Sequence, residues 1–428
     1  MLWTALALLF SLLALGIPIA AVLGVVALGF GYIFSPMPLY RAMGQLFWTN
    51  GNSFLLLSLP LFILMGELML RAGIAEKMYN SLAQWLSWLP GGLMHANIGA
   101  SAIFAATSGS SVATAATIGT VAVPQIERHN YNARIFLGSI AASGTLGILI
   151  PPSVNLIVYG LLTHTSVPQL YLAGFVPGAL LALIFMAIVL ISCVVWPALD
   201  GDKPDTDWRR RIVSLTALGP PLLIFLLVVG SIYMGVATPT EAAALGVIGV
   251  ALLAAANRVL TLEVVMSALA GTVRATGMVT LIVLTAMFLN FVLTAVGLTG
   301  QITSFVLGLN LGPTGTMLVI IAFYLLLGCV MEEFAMILTT TPIVAPIVVS
   351  LGYDPVWFGI LLVILSQTAM ITPPIGLNLF VVHGIRRTGS MNDIMIGIAP
   401  FVLTLLLMIA LLMLVPGIAT WLPSIWYG

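Results

Sequence analysis

The side chains with chemistry to offer in this 428-residue chain are oxygen donors grouped at two glycine-bearing turns. One is Ser108-Gly109-Ser110-Ser111, inside the apolar run from Phe104 to Pro124; the other is Gly328-Cys329-Val330-Met331-Glu332-Glu333, leading on to Pro346. Two more polar groups follow proline pairs: Ser153 and Asn155 after Pro151-Pro152, and Asn378 after Thr372-Pro373-Pro374. Hydroxyls, amides and carboxylates are ligands for hard cations and partners for organic acids. They do not make an enzyme here, because four scattered His and two Cys provide neither a nucleophile paired with a base nor a metal cluster.

Both turns sit between apolar arms shorter than the ~20 residues that cross a bilayer, so each reads as a re-entrant hairpin, about Leu93 to Gln125 and about Pro313 to Ser350. Each returning arm, and each half-helix after a proline pair, aims a helix N-terminus at mid-membrane, which favours an anionic group. The half-helices before the prolines end there too, and their last carbonyls, around Gly147 to Ile150 and Ala369 to Thr372, suit a cation. No Lys or Arg falls in either hairpin or near either proline pair. A substrate carboxylate is therefore expected to meet backbone N–H groups and the side chains of Ser108, Ser111, Ser153, Asn155 and Asn378. Glu332 and Glu333 are the costliest residues in the membrane interior and by default bind a cation or carry a proton.

The chain around these turns is 61% hydrophobic and 6% charged, far outside the range of soluble domains. It reads as an all-α polytopic membrane protein of zero formal net charge, with no footprint for nucleic acid. A shift of 222 positions carries Ala113, Pro124 and Pro151-Pro152 onto Ala335, Pro346 and Pro373-Pro374, which marks an internal duplication. The segments divide as residues 1–52, N-terminal membrane structure; 53–170, first repeat with span, interfacial arm, hairpin and broken helix; 171–275, connecting spans and a polar loop; 276–390, second repeat; and 391–428, a closing span. The opening stretch is interrupted at Gly16-Ile17-Pro18, the Asp200 to Arg211 stretch reads as a solvated loop, and Thr238-Pro239-Thr240-Glu241 as a capping box. Five crossings separate the hairpins, and an odd number makes the repeats inverted. Placing the first hairpin's mouth in the cytoplasm puts 12 of the 13 Lys and Arg there, with Arg41 outside.

Inverted repeats, each with a hairpin facing a broken helix, point to a secondary transporter with a midplane site. The runs SGSSVATAATIGTVAVP, LIPPSVNLIVYG, TPTEAA and ITPPIGLNLFVV together resemble the large transmembrane subunit of the tripartite ATP-independent periplasmic (TRAP) transporters, over essentially the whole chain. The resemblance implies a sodium-driven, elevator-type importer of a small organic acid in the bacterial inner membrane. It implies one sodium site at Ser110 with carbonyls of Gly147, Ile150 and Pro152, and another at Gly328, Ala369, Thr372 and Ile375. It also implies two partners, a small four-helix membrane subunit and a soluble periplasmic substrate-binding protein. The arms at Ala75 to Leu89 and Gly297 to Leu311 offer tryptophan and aliphatic faces to the former. Glu332 matches an acidic position of the family, at the substrate site, while Glu333 departs from it and leaves protons available for coupling. The alternative is a stand-alone sodium- or proton-coupled carboxylate carrier that needs no binding protein.

Overall fold

The computed structural model describes residues 4, 7–8, 11–12, 15–203, 207–309, 311–329, 331–373 and 376–427. Val330, Pro374 and Ile375 lie outside these, as does most of the stretch before Leu15. The order is α1 Ile19–Phe34, α2 Met43–Gly51, α3 Ser58–Arg71, α4 Ile74–Leu86, α5 Gly92–Ser108, α6 Ser111–Ala122, α7 Pro124–Arg128, α8 Ala133–Gly144, α9 Val154–Thr163, α10 Val167–Val195, α11 Trp208–Ser214, α12 Gly219–Tyr233, α13 Pro239–Ala256, α14 Leu262–Ala295, α15 Leu298–Gly308, α16 Gly312–Gly328, α17 Glu333–Ser350, α18 Pro355–Ile371, α19 Leu377–Arg386, α20 Met391–Leu414 and α21 Gly417–Tyr427. Among the described residues there is no strand, and six helices are long and apolar enough to cross a membrane.

The hairpins are α5–α6 and α16–α17, and the broken helices are α8–α9 and α18–α19. Two positive-φ glycines, Gly73 and Gly297, stop the spans α3 and α14 and let the arms α4 and α15 leave at an angle, 66° between α3 and α4. The capping box is formed: Thr238 Oγ1 accepts from the Glu241 amide and Glu241 Oε2 accepts from the Thr238 amide at 2.8 Å. Four segments differ from the sequence reading. Helix α14 is continuous over 34 residues, running through the boundary drawn between residues 275 and 276. Arg209-Arg210-Arg211 sit in helix α11, not in a loop. Trp85 on the first arm is covered, its indole donating to the Arg211 carbonyl at 3.0 Å and its ring packing on Trp208. The closing span is two helices, α20 and α21.

The 222-residue offset runs through the whole architecture. It carries α8 and the following turn onto α18, α9 onto α19, α10 onto α20 and α1 onto α13, each to within about three residues. The duplication therefore reaches outward beyond residues 53–170 and 276–390. Contacts obey the same relation inside two groups of helices. In the first, α1 packs on α14 and α13 packs on α3, with α3 against α14 between them. In the second, α9 packs on α17 and α19 on α6, α8 on α20 and α18 on α10. Between the groups the relation fails. Arm α4 lies closely along α5, whereas arm α15 meets α16 only at one end, leaving an apolar cavity of about 300 Å³ lined by Ile302, Phe305, Val319 and Phe323 among others.

Helices α8 and α20 cross where Gly138 faces Gly397 and Gly397 faces the Arg134 carbonyl so closely that a Cβ on either glycine would overlap the partner's backbone. Small residues at a crossing allow this approach, which brings van der Waals contact and interhelical polar contacts within range. Gly397→Val is expected to cost about 1–3 kcal/mol or more by overpacking and to lower the thermal unfolding midpoint of the detergent-solubilised protein. Gly277→Ala, where a Cβ meets nothing within 4 Å, should leave the midpoint in place.

Candidate functional site

The two hairpin tips are built alike. Gly109 adopts φ 60° and ends α5, and the extended Ser110 then caps α6, its Oγ accepting from the Ala113 amide. At the second tip Glu332 is extended and caps α17, its Oε2 accepting from the Ala335 amide at 3.1 Å. Ser110 and Glu332 are 222 positions apart, so a carboxylate here does the capping work of a hydroxyl. The repeats then clasp each other's tips. Asn378, on α19 of the second repeat, donates to Ser111 Oγ at 2.8 Å and to the Ala141 carbonyl at 3.0 Å. Asn155, on α9 of the first repeat, stands beside Glu333, the counterpart of Ser111. Gln367 donates to the Thr145 carbonyl at 2.9 Å, and because these residues are themselves 222 apart, they lie near the pseudo-two-fold axis.

The residues expected at sodium are drawn together in part. A Cβ on Gly147 would stand 2.5 Å from the Ser110 carbonyl and one on Gly109 would stand 3.0 Å from the Pro152 carbonyl, so Ser110, Gly147 and Pro152 surround the first tip. Ile150 occupies the adjoining break, held by its amide bond to the Leu146 carbonyl. In the second repeat Gly328 packs directly on Ala369, and the half-buried Thr372 hydroxyl donates to the Thr368 carbonyl at 2.6 Å. Ile375 lies outside the described residues. Two carbonyls in the break regions carry donors of their own: Ile148 accepts from Ser153 Oγ, and Thr372 from the Gly376 amide. No group of three His, Cys, Asp or Glu able to hold a metal occurs among the described residues.

Both tips open into one cavity of about 290 Å³, walled on the far side by α3 and α14. Ser108, Gly109 and Ser110 line it from the first tip, and Glu332, Glu333 and Phe334 from the second. Of the side chains expected at substrate, Ser108 and Glu332 do so. Ser111, Ser153, Asn155 and Asn378 are fully buried behind the tips. Ser153 caps α9, while Ser111 and Asn378 bond each other, so their polar atoms brace the backbone. Sequence reasoning missed Gly66 and Glu67 on α3. Glu67 forms an i,i+4 ion pair with Arg71, at 3.1 Å, yet faces the cavity, and Gly271 of α14 packs against its carboxylate. A glycine beside an acid on an apolar span was the available signal.

Inverted repeats whose re-entrant tips share one cavity inside an apolar helical bundle define a polytopic membrane permease. The family profile described as the tripartite ATP-independent periplasmic transporter, DctM component, matches residues 6–418. The chain is 36% identical to the C4-dicarboxylate TRAP transporter large permease protein of Pseudomonas aeruginosa, with 92% of each chain covered. It is 31% identical to the sialic acid TRAP transporter large permease protein of Vibrio cholerae, covering 98% of this chain and 97% of that one. Its fold is shared with the crystal structure of the Alcanivorax borkumensis YdaH transporter, at a TM-score of 0.59 and 17% identity over 96% of this chain and 98% of that one. The chain belongs to the DctM family of TRAP transporter large permease subunits.

A Cβ at Gly66 would already stand 3.1 Å from Ser108 Cα. Gly66→Leu therefore fills the cavity and presses on the first tip. The expected result is a fall in transport of about tenfold or more, within the 1–3 kcal/mol that overpacking costs, with an unchanged yield of monodisperse protein by size exclusion.

Proposed function

We propose that this subunit carries out sodium-coupled uptake of a small organic anion across the bacterial inner membrane by an elevator motion. The helices that include the hairpins and broken helices slide as one body along the scaffold formed around α3 and α14. The observation that carries the reading is the placement of both tips in one cavity against that scaffold, with contact symmetry kept inside each body and lost between them. An offset between two internally symmetric bodies is what one end state of such a slide leaves behind. The open cavity between α15 and α16, where α4 and α5 are packed, fits the same offset.

Sodium is favoured because the breaks present carbonyl and hydroxyl oxygens: Ser110, Gly147, Ile150 and Pro152 around one tip, and Gly328, Ala369 and Thr372 around the other, with Ile375, outside the described residues, added by the family resemblance alone. The substrate would meet Ser108 and the N-termini of α6 and α17. No Lys, Arg or His lines the cavity among its described residues, so bound sodium would supply the countercharge. The relatives named for C4-dicarboxylates and sialic acid fit a small carboxylate. Affinity from outside would come from a periplasmic binding protein, and the exposed Trp88 and Phe305 on the arms are suited to cover by a small membrane subunit. Contacts that join Lys77 to Asn257, Lys203 to the Trp88 carbonyl, and Arg134 and Arg386 to Asp393 involve residues expected at the cytoplasmic end.

The test is uptake by proteoliposomes holding this chain with its small subunit, with loaded binding protein outside. Accumulation should require both the binding protein and an inward sodium gradient, and should fall to leak when choline replaces sodium. Accumulation driven by a proton gradient alone, or without binding protein, would contradict the proposal.

A further inference from the structure

We infer that Glu333 and Asn155 hold a further sodium ion, at a position distinct from the two at the proline breaks; the inference rests on the sodium-coupled reading above. Its starting point is a failure of symmetry. In one half of the molecule the clasp between repeats is a neutral hydrogen bond, Asn378 to Ser111 at 2.8 Å. In the other half the hydroxyl is replaced by the carboxylate of Glu333, which Asn155 approaches without reaching the close hydrogen-bond geometry of the Asn378 pair. Glu333 is 3% exposed and Asn155 is fully buried, yet Glu333 Oε2 and both amide atoms of Asn155 lack a partner with hydrogen-bond geometry.

Two buried acceptor oxygens, one carrying charge, are thus contributed by opposite repeats, and the Asn155 Nδ2 donor beside them makes no hydrogen bond of good geometry. A buried carboxylate left uncompensated is strongly unfavourable. No Lys, Arg or His is among the described residues lining the cavity, Arg71 is engaged by Glu67 of the opposite wall, and Glu332 adds a second acid whose Oε2 is occupied in capping α17. Carboxylate and amide oxygens are the ligand types a hard cation takes, and the cavity that Glu333 lines gives an ion a way in. Because α9 and α17 come from different repeats, a cation at this position would tie them together as the Asn378 bond ties α19 to α6.

The experiment follows the thermal unfolding midpoint of the full chain in detergent as sodium chloride replaces choline chloride at constant ionic strength. A ligand that binds only the folded protein raises the midpoint with concentration. The wild type should rise with sodium. Glu333→Gln and Asn155→Leu should each shift the half-maximal sodium concentration upward by about tenfold or more, the equivalent of ~1.4 kcal/mol. Glu333→Asp should retain part of the response. In choline alone Glu333→Gln should melt no lower than the wild type, since it removes a buried charge, and this separates lost sodium binding from misfolding. A Glu333→Gln protein that follows sodium as the wild type does would overturn the site and assign the position to a protonated carboxyl. A wild type indifferent to sodium would sink the sodium reading as a whole.

Discussion

Backbone left unpaired inside an apolar bundle is the constraint on which this structure turns. Two helices stop and restart at proline pairs and two hairpins reverse at their tips, so N–H and C=O groups are released where neither water nor lipid can answer them. The protein answers them from the other repeat. Asn378 reaches Ser111 and the Ala141 carbonyl and Gln367 reaches the Thr145 carbonyl, while away from the breaks the Tyr159 hydroxyl ties α9 to the Pro355 carbonyl at the start of α18 at 2.6 Å. These bonds join residues roughly 200 positions or more apart, and they make one body of two broken halves. Without them the irregular backbone that creates the site would not be tolerated.

The same bonds explain why symmetry survives within that body. Each tip depends on the opposite broken helix, so the hairpins and broken helices cannot shift independently. The scaffold is held just as reciprocally, with α1 on α14 and α13 on α3. At the seam between bodies, packing is by apolar side chains and small residues such as Gly66, with fewer directional bonds to break. Under the proposed elevator motion, a seam of that kind would slide at low cost while the interiors on both sides resist deformation.

Much of the architecture was legible from spacing. The hairpins, broken helices and inverted duplication follow from glycine and proline punctuation at a fixed offset, and the Thr238–Glu241 capping box follows from local chemistry alone. What could not be read was tertiary in origin. Ser111 offers the same hydroxyl as Ser108 and Asn378 offers an amide, but only packing decides that Ser111 and Asn378 face each other and Ser108 faces the cavity. The spacing of Glu67 and Arg71 allows an i,i+4 pair, yet nothing local says which wall that pair belongs to. Helix α14 looked divided because charge at Arg274 suggested a boundary, whereas the helix continues past it, with Thr272 buried and Arg274 exposed.

The account stands on two bodies, each rigid, displaced against each other. Pulsed electron paramagnetic resonance between spin labels at the exposed positions Ile248 on α13 and Val349 on α17 spans the seam, and a second pair at Leu28 and Ile248 stays within the scaffold. In liposomes, with and without sodium and substrate, the pair across the seam should populate two distances whose proportions change, and the scaffold pair should hold one. A single unchanging distance for the pair across the seam, or a scaffold pair that moves as much, would contradict the two-body account.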